Sequence, residues 1–123
     1  MFIGLLQYLG RVPSIAPGIA FGTYPDNNWW VKFSIDISHS LAWNVVQELA
    51  HVTNYVSIEE RLPTKFYPVS PPPYMNGGPE QFLSWIVESE LESFLPDHML
   101  EWLESRLPRP VDQLSEWTEE DDD

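Results

Sequence analysis

The chain has 123 residues, no cysteine, 43% hydrophobic and 14% aromatic residues, and a formal net charge of −13. That apolar content excludes a disordered chain, which lacks the groups to offset the entropy lost on ordering, and the length suits one core. The missing cysteines exclude a disulfide framework and a thiolate zinc site, and residues 80–123 hold fourteen acids against only Arg106 and Arg109, a local charge of −12 that repels phosphate backbones and anionic lipid.

The opening "MFIGLLQYLGRV" has neither a basic lead nor a small-residue cleavage site, and no apolar run is long enough for a bilayer, so neither a signal peptide nor a span is expected and the cytoplasm is the predicted location. Whether these dozen residues join a sheet stays open. "GIAFGTY" is followed by "YPDNN", whose Pro25, Asp26, Asn27 and Asn28 either preset φ or tolerate positive φ, so a hairpin is predicted. Its second arm, "WWVKFSIDI", alternates Trp29, Val31, Phe33, Ile35 and Ile37 with Trp30, Lys32, Ser34 and Asp36, which predicts a half-buried strand with the first set inward.

In "SHSLAWNVVQELAHVTNYVS", Leu41, Val45, Leu49, Val52 and Val56 recur at helical spacing, with Ser38 or Ser40 available as cap. "RLPTKFYPV" returns to extended chain, because Pro63 and Pro68 disfavour helix in the residue before each. The stretch "PVSPPPYMNGGP" reads as a stiff connection inside one domain, since the segment after it is too small to fold alone. A loop stiff in advance loses little entropy on binding, which makes Tyr74 and Met75 at its apex candidates for partner contact. Its "PPPY" and "PVSP" also match short proline motifs, and four-residue patterns arise often by chance.

"FLSWIVES" carries helix-start signals before it and two-residue alternation within it, and strand is the preferred reading. "LPDHMLEWLESRLPRP" is a helix with Pro96 at its first position, Asp97 at its positive end and Met99, Leu100, Leu103 and Leu107 as its apolar face. The sum is a small α+β fold, a mostly antiparallel sheet with two main helices packed on one face. Residues 1–111 are expected to form the domain and residues 112–123, ending "SEWTEEDDD", an acidic and mobile tail.

Catalytic signatures are sparse. Glu48 and His51 share a helical face, yet a di-iron site needs a second such motif, so no metal or cofactor is expected. Asp36, Ser38, His39 and Ser40 lie close in sequence without a glycine-flanked elbow or an oxyanion hole, and no phosphate-cradling loop is present, so no enzyme is expected.

The aromatic content points elsewhere. Of the six tryptophans, Trp30 and Trp117 fall at positions predicted to face outward, where an indole anchors an interface by burying a large area with few torsions lost. The alternative is that Trp30 lies under the first segment or a dimer mate and that Trp117 pins the tail to the body.

Small, cysteine-free, tryptophan-rich and lopsidedly acidic, the chain resembles in profile the immunity proteins that neutralise bacterial toxins, including those of contact-dependent growth inhibition. The resemblance spans the whole chain, with no diagnostic motif in "WWVKFSIDI" or "PVSPPPYMNGGP". It implies an inhibitor that occludes the active site of a basic toxin, often a nuclease, with Glu88, Glu90, Glu92, Glu101 and Glu104 meeting the cationic groove while Trp30, Tyr74 or Trp102 fills an apolar pocket. Two other readings stay open: a homo-oligomeric structural or accessory domain whose aromatics seal a symmetric interface, and an anionic mimic of a nucleic-acid backbone.

Overall fold

A computed structural model describes residues 2–69, 82–91 and 93–117. Its elements run α1 (Ile3–Leu9), β1 (Ala20–Thr23), β2 (Trp29–Asp36), α2 (Ala42–Ile58), β3 (Thr64–Val69), β4 (Phe82–Ser89) and α3 (Pro96–Arg106), followed by a 3₁₀ turn at Leu114–Trp117. The strands form one antiparallel sheet in the order β1-β2-β4-β3. This is the expected small α+β architecture, with "FLSWIVES" a strand and the two longer helices where their periodicity put them.

The alternation in β2 becomes a division of the sheet into two faces. Trp29, Val31, Phe33 and Ile35 are buried, and their intervening neighbours are half-exposed. The register carries the division across the sheet: Val31 stands opposite Val87 and Phe33 opposite Trp85, while Trp30 stands opposite Glu88 and Lys32 opposite Ile86. The inward set meets Val45, Leu49, Val52 and Val56 of α2, Met99 and Leu103 of α3, and Leu5 and Leu9 of α1 in one apolar core. Aromatic stacking continues it toward β3, where the Phe66 ring lies 4.9 Å from that of Trp85 and 6.4 Å from that of Phe33.

The hairpin before β2 closes as its turn residues predict. Asn27 takes φ of 72°, Asp26 Oδ1 accepts the Asn28 amide at 3.1 Å, and Tyr24 and Asn28 pair through the backbone at 2.7 Å. Gly22 in β1 is required for a packing reason: a Cβ there would stand 2.7 Å from the Trp30 ring, so the indole lies directly over the bare strand.

Two expectations are corrected, and the question left open for the opening residues is answered. The opening residues form the short helix α1, whose Gly4 lets it approach Leu100 of α3; a Cβ at Gly4 would stand 2.9 Å from that leucine. Neither Ser38 nor Ser40 caps α2; the helix begins at Ala42, and His39 Nδ1 accepts the Leu41 amide at 3.0 Å instead. Trp117 does not face outward. It is 1% exposed, donates its indole N–H to the Val111 carbonyl at 2.8 Å, and its own carbonyl accepts Asn44 Nδ2 at 3.1 Å. The Trp117 ring therefore joins the apolar core, which is the alternative in which it pins the tail to the body.

Candidate protein-binding surface

Of the nine expected contact residues six are among the described residues, and these divide between two sides of the molecule. Trp30 and Glu88 belong to the strands, directly opposite one another on the face away from the helices, and Glu90 follows the end of β4. Glu101, Trp102 and Glu104 lie on α3, which packs on the other side through Met99 and Leu103. Tyr74, Met75 and Glu92 lie outside the described residues. The six described residues do not share one face, because α3 covers the Trp29 side of the sheet and β2 turns Trp30 to the opposite side.

On the open face the carboxylates are taken up within the fold. Glu88 Oε1 accepts the Tyr24 hydroxyl at 2.7 Å and the Tyr67 hydroxyl at 3.0 Å, tying the hairpin to β3 across the width of the sheet. Hydrogen bonding to Glu88 raises the Tyr24 pKa far above its ordinary value, and burial followed by the same bond raises that of Tyr67. Glu90 pairs with Lys65 at 2.6 Å, and that contact holds the Lys65 ammonium above its usual range. Trp30 is half-buried against Gly22.

On α3 the acids have no such partners. Asp97, Glu101 and Glu104 are exposed at spacings of four and three residues, so they form a row along one side of the helix. None of the three is ion-paired among the described residues. Trp102 beside them is half-buried, its ring 5.6 Å from that of Tyr55, and the Arg106 guanidinium covers the Tyr55 ring at 3.8 Å and the indole at 5.4 Å. A cation–π contact of this kind contributes roughly 0.5–1 kcal/mol at an exposed site, and it also uses up one of the two cations of the acidic third.

Periodicity could have revealed one exposed indole that the outward-facing pattern missed. Trp43 is 53% exposed, because it is out of phase with the Leu41, Val45 and Leu49 stripe that sets the rotation of α2. Trp29, Trp85 and Trp117 are buried, and Trp30 and Trp102 are half-buried. The Trp85 indole N–H is enclosed without an acceptor.

Between α2 and the β3 edge runs a groove of about 560 Å³, lined by Gln47, His51, Asn54, Ser57, Thr64 and Phe66. No Asp, Glu, Lys or Arg lines it. Glu48 and His51 gather no further ligands: among the described residues no three His, Asp or Glu side chains are placed to share a metal ion. The Asp36–Ser40 segment is a local turn, in which Asp36 Oδ1 accepts both the amide and the hydroxyl of Ser38 at 3.0 and 2.6 Å. With the Ser38 hydroxyl aimed at a carboxylate and His39 Nδ1 bonded to a backbone amide, the hydroxyl-to-imidazole relay of a nucleophilic triad is not assembled. Among the described residues no helix is long and apolar enough to cross a membrane.

No protein-family model, no curated protein and no solved structure matches this chain.

Proposed function

We propose that this protein binds and neutralises a basic protein, a toxin domain of the nuclease kind, in the cytoplasm. The α3 surface is the docking face. The observation that supports this reading is the unpaired row Asp97, Glu101 and Glu104, set in a C-terminal third that carries −12 of the −13 net charge. Carboxylates that make no ion pair among the described residues keep much of their field available to an incoming cationic groove, which steers encounter and raises the association rate. Trp102 stands on the flank of α3 turned toward Tyr55, round the helix from that row, a large, pre-positioned ring whose truncation would remove contact area rather than charge. Glu88 and Glu90 have a different role, holding the sheet through Tyr24, Tyr67 and Lys65.

The test is co-expression with the basic toxin domain encoded beside this gene, followed by stopped-flow association of the purified pair. Growth rescue is expected, together with an association rate that falls as salt rises and that drops by about tenfold or more in the charge reversal Glu101→Lys with Glu104→Lys. Failure to rescue, or an association rate indifferent to both salt and the reversal, overturns the reading.

A further inference from the structure

We propose that β1 is a self-association edge, through which two copies of this chain join their sheets about a two-fold axis. The inference is independent of the toxin-binding reading and concerns the opposite end of the sheet from β3.

The two sheet edges differ in chemistry. An edge strand presents unpaired amides and carbonyls, and folded proteins guard such edges with charge, proline or cover. The β3 edge is guarded in this way: Lys65 is exposed and paired with Glu90, and Pro68 cannot donate a ladder bond. The β1 edge, "AFGT", has neither, and among the described residues no strand pairs with its outer side. Its surroundings are apolar as well. Phe21 is 49% exposed and Ile3 69% exposed, the Phe2 and Phe21 rings lie 4.8 Å apart, and a groove of about 410 Å³ lined by Leu6, Gly10, Ile15, Pro17 and Ile19 adjoins the segment that leads into β1. On the other face the Trp30 indole reaches over Gly22, so the edge is flanked by an aromatic ring above and below.

Charge identifies the occupant as a second copy. Two chains at −13 repel wherever their acids face each other, so a self-contact is favoured only on surface that carries no charge. Residues 12–25, from Val12 through Pro25, contain no Asp, Glu, Lys or Arg, and this uncharged run builds the groove wall and the whole of β1. A cationic partner gains nothing there, whereas an antiparallel strand paired with its own copy is self-complementary by symmetry. Four residues supply few ladder bonds, so the apolar flanks of Phe21, Ile3 and Ile19 provide most of the affinity.

The experiment is sedimentation velocity on the full chain over a concentration series, at about 0.1 M and about 1 M salt, between which the screening length shrinks from about 10 Å to about 3 Å. A monomer–dimer equilibrium is expected that tightens with salt, the reverse of the salt effect on a cationic partner. Thr23→Lys, at an exposed β1 position, should weaken the dimer by about tenfold or more, although it lowers the net negative charge and so reduces general repulsion. Asn54→Lys, in the α2 groove, should leave the dimer unchanged. Hydrogen exchange should show the β1 amides protected in the dimer and open in the Thr23→Lys chain, whose melting curve should match that of the unaltered chain diluted to monomer. A chain that stays monomeric at both salt concentrations, a dimer that salt weakens, or one that Thr23→Lys leaves intact overturns the proposal.

Discussion

Trp29 and Trp30 are neighbours in sequence and differ in nearly everything else. Trp29 is sealed under the helices, 2% exposed, with its indole N–H donated to the Phe94 carbonyl at 2.6 Å. Trp30 lies on the open face, half-covered by a strand that has no side chain beneath it. The two-residue period of a strand makes this difference, and the two faces it creates are held together in different ways. The covered face is cohesive because it is dry and apolar. The open face is held by charge-assisted bonds, with one carboxylate receiving two tyrosine hydroxyls and a lysine paired with a glutamate. Tryptophan count alone therefore says little about interaction surface, because the same residue type serves both roles within one dipeptide.

The sharpest test of that contrast compares the two indoles. Trp29→Ala should cost about 3–5 kcal/mol in urea unfolding, since it opens a cavity and strands the Phe94 carbonyl. Trp30→Ala should cost roughly 1–2 kcal/mol, the loss of a half-buried ring. Equal costs would mean that the faces are not energetically distinct. Close behind comes Trp117→Ala, also expected at about 3–5 kcal/mol because the ring is fully enclosed; a negligible change would return residues 112–117 to the status of a tail. Gly22→Val attacks the open face alone. Its side chain occupies the space of the Trp30 ring and should destabilise by about 1–3 kcal/mol, with a shift in tryptophan emission that reports the displaced indole.

The smallest effect is one of pH. Tyr8 donates its hydroxyl to the Leu103 carbonyl at 3.3 Å, and burial, with Glu104 adding to it against the opposing Arg11 and Arg109, raises its pKa from 10.0 to about 12. Below pH 10 the folded and unfolded chains both hold this proton and the contribution to stability is complete. Between pH 10 and about 12 the unfolded chain releases it first, so stability falls as pH rises. Urea midpoints should decline across that window, and less steeply in Tyr8→Phe. Tyr24 and Tyr67, raised through Glu88, share in the alkaline loss, so Glu88→Gln should flatten the remaining slope on the open face.

The elements legible in the sequence were those whose pattern is local. β2 announces itself by alternation, α3 by Pro96, Asp97 and the Leu107–Pro108 stop, and the hairpin by Asp26 and Asn27. What escaped depends on distant partners. The seven residues of α1 are too few for a helical period to stand out, and the helix is held by packing against α3. The placement of Trp117 rests on Asn44 and Val111, one of them across the length of the chain, while its acidic neighbours argue for solvent. The division of the six described contact residues has the same origin: strand parity sends Trp30 one way and helix packing sends Glu101 the other. Trp43 is the contrary case, an exposed ring that the phase of α2 already marks.

Two of the three histidines start helices. His39 Nδ1 receives the Leu41 amide ahead of α2, and His98 Nδ1 receives the Leu95 amide at 3.1 Å ahead of α3. Each ring thus commits the lone pair that a proton or a metal ion would need at that nitrogen, so protonation or metallation there is coupled to fraying of a helix end. Removing either ring leaves a backbone amide without its acceptor, so loss of His39 or His98 would loosen the two long helices from their first turns inward.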